Sequence, residues 1–361
     1  MNNGLAQFGQ PVLMDYGIRD GKLRKAPEFY SMDWNEGDIL RERVTQMSIP
    51  LDTFVAEPIV LLVNEIKAPV MYTTNIATPV CADGECKLMH IRLYWDLLGG
   101  YAGFDRVVGQ PLTKLDHVDF EMADYIKLHP LLQDNNSILK RRTEAELLDK
   151  PKEHKPEEVD AISGATIAEV KESIVAGALY SCYVAWNLVN GEVNEMLKKY
   201  TMSILDDTLL ERMLASSSSG YQIFALEKLN DSQYESYLEH VAEIFKTGIP
   251  LVRTFIIKDL PAKFWTTDAL QLPFWDSFAE VDINSRSSLL KHIEHAPQMA
   301  MEFISGKLNV MTKNQLKIYL DAIDKYPSNP VIMNNLYLFA NANDWQYAYI
   351  VAAYLENRNN Q

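Results

Sequence analysis

Two kinds of hydrophobic spacing follow one another along the chain. Between Pro58 and Trp95 the apolar runs are short and rich in β-branched and aromatic residues: Ile59 to Val63, Val70 to Thr74, and Lys87 to Trp95. Runs of this kind predict strands. The Asp-Gly pair before the last of them predicts a hairpin over 76–95. Asp96 to Phe104 holds three glycines and reads as a strand corner or bulge. Pro111 to His117 then leads into a helix predicted over 121–132, with Asp119 as its N-cap. From Ile167 to Asn190 there is no proline. Ile167, Val170, Ile174, Ala178, Cys182, Trp186 and Val189 recur there at helical spacing, which predicts one long helix.

After Tyr200 the helical period takes over. Patterns over 205–215, 220–229, 231–247, 249–259, 274–278, 287–296, 298–305, 312–326, 329–340 and 345–356 are mostly amphipathic and joined by short turns, Ser216–Gly220 among them. The expected fold class is α+β. Residues 1–57 read as an N-terminal extension or an added layer, 58–195 as a mixed α/β domain, and 200–361 as an all-α domain. The helix lengths and short links of that last part resemble the irregular helix pairs of HEAT-type solenoids, an array that usually builds a docking surface.

At 361 residues with 47% hydrophobic content, the chain can fill a core in each of two domains. A formal charge of −15 argues against a nucleic-acid partner, because a phosphate backbone would be repelled over most of the surface. No apolar run approaches the roughly 18 residues that span a bilayer, so no transmembrane segment is expected. The first residues lack a basic segment followed by an apolar core. An exported protein shown without its leader would look the same. Three cysteines are too few for a disulfide-built fold. Cys182 falls on the apolar helix face and reads as a small core residue. Cys81 and Cys86 flank the Asp-Gly turn and read either as a disulfide staple of the hairpin or as a redox-active dithiol.

Asp160-Ala-Ile-Ser163-Gly164-Ala165-Thr166 places a glycine turn and a hydroxyl just before the predicted long helix. Unpaired amides and the positive end of a helix dipole make such a place suited to a phosphate. Gly164 lets the chain bend and a phosphate approach, and Ala165 keeps the surroundings open. Thr166-Ile-Ala-Glu169 is also a capping box, the ordinary start of a helix.

The motif resembles the attachment site of covalent-flavin proteins, the FMN-binding subunits of sodium-pumping NADH:quinone reductase and its Rnf relatives. That resemblance covers about a third of the chain and implies an FMN-binding-like domain over 58–195. By the same resemblance FMN is a phosphoester on Thr166, placed there by a flavin transferase, with Asp160 holding the turn or a metal during transfer. Ile167 fits the residue that follows in the family, whereas Ala168 stands where the family has Ser or Thr. Ser163, Gly164, Ala165 and the turn amides would bind the phosphate. Tyr101 or Phe104 would stack on the isoalloxazine ring if the fold brings them together.

No G-x-G-x-x-G stands between a strand and a helix, so no nicotinamide site is evident. Electrons would come from a redox partner protein, a quinone or the Cys81/Cys86 pair. The competing reading is a non-enzymatic scaffold in which Thr166 caps a helix and the helical array recruits a partner. A third is a thiol–disulfide protein working through Cys81 and Cys86 without flavin. His117 lies beside Asp116 and Asp119 and reads as a surface hydrogen-bonder or, with a carboxylate, a proton donor. His292 and His295 have no third ligand nearby in sequence, and no metal site is expected. Residues 140–158, with two prolines and dense mixed charge, read as a solvated approach to the motif.

Overall fold

A computed structural model describes residues 17–49, 57–80, 87–114, 117–141, 173–326, 329–342 and 345–359. The chain divides into two compact units, Met1–Leu205 and Asp206–Gln361. The first holds β-structure with helices and the second is helical, so the protein is α+β.

In the first unit, β1 (Lys22–Leu23), β2 (Phe29–Tyr30), β3 (Leu40–Ile49), β4 (Glu57–Val63), β5 (Pro69–Thr78), β6 (Met89–Trp95) and β7 (Tyr101–Arg106) make one curled sheet in the order β1-β3-β4-β5-β6-β7-β2. Every neighbouring pair is antiparallel. The predicted strand runs are β4, β5 and β6, and β5 pairs with β6 from Tyr72↔Trp95 to Thr78↔Met89. Residues 22–49 are neither an extension nor a separate layer. They supply β3 and, through β1 and β2, both edges of the sheet.

Alternation along the strands gives the sheet two apolar faces. On one, Leu62, Met71 and Tyr94 pack with Leu23, Leu40 and Ala102, and Ile18, Tyr30, Met32 and Trp34 lie against them. On the other, Tyr72 and Trp95 meet helices. The helices on this face are α1 (Met122–Gln133), which lies against β7, and α2 (Leu179–Asn190) and α3 (Glu192–Ser203), which meet Trp95 and Tyr72. The Trp95 indole N–H donates to the Val189 carbonyl of α2 at 3.1 Å. Thr201 of α3 donates to the Leu97 carbonyl at 2.5 Å. Its single proton is thereby committed, so the Tyr72 hydroxyl, 2.6 Å away, is the donor to Thr201 Oγ1. One buried relay thus joins β5, the β6–β7 turn and α3.

Two helix boundaries differ from the sequence expectation. The 167–190 helix is not continuous: the backbone turns between Ile174 and Ala178, Gly177 adopts φ +75°, and α2 starts at Leu179. Glycine takes this left-handed conformation without the Cβ penalty of other residues, and so interrupts a pattern that apolar spacing alone would read as one helix. The spacing itself holds: Ile174, Ala178, Cys182, Trp186 and Val189 are all buried. Asp119 is not the N-cap of α1. It bridges to Thr113 and pairs with Lys87 at 3.3 Å, while Glu121 takes the cap position and its amide donates to Asp124 at 2.8 Å.

The second unit runs through α4 (Asp207–Leu214), α5 (Ser219–Lys228), α6 (Asp231–Ser236), α7 (Leu238–Thr247), α8 (Pro250–Asp259), α9 (Asp268–Asp276), α10 (Ile283–Leu289), α11 (Gln298–Ser305), α12 (Lys313–Ile323), α13 (Pro330–Ala340) and α14 (Ala348–Asn359). Side-chain caps start several of them: Asp206, Asn230, Asp282, Thr312 and Asn329 each accept an amide of the first turn. The pattern predicted over 231–247 breaks at Tyr237 into α6 and α7. That over 287–296 is the end of α10 and a 3-10 turn from Leu290 to His295. The helix predicted at 274–278 lies earlier, over Asp268–Asp276. Among the described residues no helix is long and apolar enough to cross a membrane.

Candidate functional site

Asp160, Ser163, Gly164, Ala165 and Thr166 lie outside the described residues, as do Cys81 and Cys86. Tyr101 is the sequence-predicted site residue whose surroundings the structure describes. It opens β7 after a turn that the sequence builds in detail. Asp96 Oδ1 accepts the amides of Leu98 and Gly100, both at 2.8 Å. Gly99 sits at φ +81°, and a Cβ there would come within 2.7 Å of the Asn194 Cα of α3. Gly99 therefore serves a close approach of the sheet turn to a helix, whereas a Cβ at Gly100 would meet the Asp96 carboxylate at 2.7 Å.

From that turn Tyr101 projects to α1. Its hydroxyl lies 2.7 Å from His129 Nδ1, and the two rings are 5.5 Å apart. Phe104 is fully buried and stacks on Phe29 with centroids 4.5 Å apart. Tyr125 completes the group, 6.3 Å from both phenylalanine rings. Beside it the Arg106 guanidinium lies 5.1 Å above the Tyr125 ring and forms a two-point ion pair with Glu28, Nε to Oε2 at 2.8 Å. Tyr101 and Phe104 are thus brought together, in an aromatic cluster between β7, β2 and α1. Burial pushes the Tyr101 hydroxyl far above its ordinary range and lowers His129. At neutral pH both groups are therefore uncharged, and they share one hydrogen bond whose donor is set by the His129 tautomer.

A second polar group lies on the other face of the same strands. Asp105, 3% exposed, accepts the Tyr94 hydroxyl at 2.6 Å and the Glu28 amide at 2.7 Å. Burial raises its carboxyl above the ordinary value, against the Tyr94 hydroxyl, the Glu28 amide and the charge of Arg92. Arg92 pairs across the sheet with Asn75 and Asp105 and donates to Asn75 Oδ1 at 2.6 Å, while its Nη1 is buried without a partner.

The remaining candidates stand apart from these groups in kind. His117 is exposed and holds a left-handed backbone at φ +59°. His292 lies in the second unit, stacked on Trp265 at 3.9 Å. Among the described residues no group of three or more His, Cys, Asp or Glu side chains is placed to hold a metal ion. Cys182 is buried and its thiol is pushed up to about 12 by that burial, which leaves it inert as a nucleophile. His129 escapes a reading from motifs. Its signal is positional: it follows Tyr125 by four residues, beside Leu128 and Leu132, on the face of α1 that is buried.

The chain was compared with known protein families, with characterised proteins and with solved structures, and it matches none of them.

Proposed function

We propose that the chain is a flavoprotein that carries FMN on Thr166 and works in electron transfer, as a carrier or within a redox complex. One observation carries this reading: Asp160, Ser163, Gly164, Ala165 and Thr166 stand at the spacing of the covalent-flavin attachment site, upstream of an apolar helical face. On this reading the Thr166 hydroxyl oxygen becomes the phosphoester oxygen, with one water lost relative to free FMN. Ser163 and the turn amides bind the phosphate, and Asp160 holds the turn or the metal used during transfer. Bound FMN supplies electron transfer; the chain supplies its placement and its electrostatic surroundings. An FMN-binding-like fold for the first unit belongs to the same proposal, and so does a flavin transferase. Its electrons come from a redox partner protein, a quinone or the Cys81/Cys86 pair.

The scaffold reading is favoured by a different observation. Tyr101 and Phe104, the rings suited to stack on a flavin, already pack on Phe29, Tyr125 and His129. On that reading Thr166 is a helix cap, and the second unit, with HEAT-like helix pairs, is the docking element. Intact mass spectrometry on protein from its native source separates the two. FMN minus water, mapped to the Thr166 peptide and lost in Thr166→Val, is the expected result. An unmodified mass in cells with an active transferase would reject the flavin reading.

A further inference from the structure

The helices of the second unit lie in two rows of opposite charge, a feature independent of flavin. α7, α9, α11 and α13 pack one on the next, and so do α5, α8, α10 with its turn from Leu290 to His295, and α12. Side chains tie the second row together. Arg253 of α8 donates to Asp282 at 3.2 Å, and Gln315 of α12 donates to the Ile283 carbonyl and the Ser287 hydroxyl of α10, both at 2.8 Å. We propose that the α8–α10–α12 face of one copy docks on the α7–α9–α11–α13 face of a second copy, lysine against carboxylate and aliphatic side chain against aliphatic side chain.

The acids of the first row are Glu239, Glu243, Asp268, Asp276 and Glu302, and its cation, Lys246, is paired with Glu280 at 3.1 Å. Glu239 and Glu243 stand one turn apart on α7, exposed, on the side away from buried Val241 and Phe245. From α8 to α12 the second row carries Arg253, Lys258, Arg286, Lys291, Lys313 and Lys317 against Asp259, Glu294 and Asp321. Lys258, Lys291, Lys313 and Lys317 are exposed, and among the described residues none of the four is ion-paired. Each row also shows aliphatic surface. Leu251, Ile283 and Ile318, one on each of α8, α10 and α12, are 62%, 53% and 43% exposed, and Met299 of α11 and Leu338 of α13 are 66% and 61% exposed.

A partner for the second row must present carboxylates beside aliphatic side chains on a surface of matching spacing. The first row of another copy does so, because packed helices in both rows repeat at about 8–10 Å. The formal charge of −15 opposes approach of two copies. Charges more than about 8 Å apart are largely screened at physiological ionic strength, whereas facing pairs at contact are screened far less. Three helices about 10 Å apart and roughly 15 Å long offer on the order of 450 Å². That is less than the roughly 800 Å² per partner of a stable complex, so the association is weak and concentration-dependent. The two faces differ, which makes the contact heterologous: each docked copy leaves one row free, and assembly continues past the dimer.

Sedimentation velocity on the full-length protein tests this without any ligand. Between about 5 and 300 µM protein the weight-average sedimentation coefficient should rise about 1.5-fold or more in about 0.05 M salt, and stay flat in about 0.5 M salt. Two charge-reversed variants decide which faces meet. Lys258→Glu with Lys317→Glu makes both rows acidic, and Glu239→Lys with Glu243→Lys turns the α7 end of the first row basic; all four positions are exposed, and dichroism checks that helix content is kept. Each variant alone should stay monomeric. Their equimolar mixture should associate again, since each then offers the other a face of opposite charge. A monomer at every concentration, a rise that salt leaves unchanged, association of either variant alone, or a mixture that stays monomeric overturns the docking.

Discussion

The two units solve the same problem, how to bury polar groups inside an apolar core, with bonds of very different reach. In the sheet unit, beside shorter bonds such as Tyr94 to Asp105, 11 residues apart, some buried side-chain bonds join distant parts of the chain: Thr201 to Leu97, 104 apart, and Trp95 to Val189, 94 apart. In the helical unit the reach is short. The Tyr234 hydroxyl donates to Leu226, 8 residues away, Tyr319 to Met301, 18 away, and Gln315 to Ile283, 32 away. Each fastens a helix to a neighbour near in sequence, as Gln271 also does when it donates to the His295 carbonyl and accepts the Trp275 indole N–H, both at 3.0 Å. A sheet unit of this kind must close long loops before its contacts stabilise it, whereas the helical unit can form from local pieces.

The comparison breaks most sharply at Trp95, which is fully buried between sheet and α2. Trp95→Ala should cost the sheet unit about 3–5 kcal/mol, through lost packing and an orphaned Val189 carbonyl. Urea unfolding followed by fluorescence and by far-ultraviolet dichroism should then show the first unit melting well before the second. Coincident transitions that shift together would mean that the units are not independent in stability.

Matched deletions of one hydroxyl sharpen the contrast. Thr201→Val removes the centre of the relay, taking two bonds at once and leaving the Tyr72 hydroxyl without its acceptor, with an expected loss of about 1–3 kcal/mol. Tyr319→Phe leaves only the Met301 carbonyl, with an expected loss of about 0.5–1.5 kcal/mol. Equal losses in chemical denaturation would refute the view that the relay acts as a coupled unit.

The smallest effect is in acid, where the two units should move in opposite directions. Burial raises Asp96 and Asp105 of the sheet unit above 3.8. The folded state therefore binds more protons at these two groups, and their contribution grows on acidification down to about 3.8, against the lowered His129 of the same unit, which acts the other way. Asp282 in the second unit is the reverse case. Burial would raise it, but the hydroxyl and amide of Ser285, the Asn284 amide and Arg253 together bring it below 3.8. Its contribution is present above 3.8 and lost as pH falls through the folded value. Separate melting curves at pH 5, 4 and 3 would show the midpoints of the two units diverging; parallel shifts would contradict these directions.

Legibility followed the same division. Helices of the second unit could be placed from spacing and caps, because the information for each lies within one or two turns: Gln298–Ser305 falls on the predicted bounds, and Thr312 and Asn329 announce the next two helices. Strands β4, β5 and β6 were equally readable from composition. What spacing could not give was partnership. That residues 22–49 would frame the sheet on both edges depends on pairings such as Phe29↔Phe104, with no local signal in two-residue strands. Gly177 was visible, but whether it bends the chain or rides within a helix depends on what packs around it. The same holds for the candidate sites: a motif over 160–166 is a local pattern, while Tyr101 meets His129 only because β7 and α1 fold together.

By itself, the sequence determined the class of each half, the apolar faces of its helices and the strands at the sheet centre. Tertiary structure alone decided the strand order, the edges, the glycine turn pressed on α3 and the pairing of Tyr101 with His129. The physical reason is range: propensity, capping and periodicity act over a few residues, whereas register and buried polar pairing are fixed by groups up to a hundred residues apart that must desolvate together.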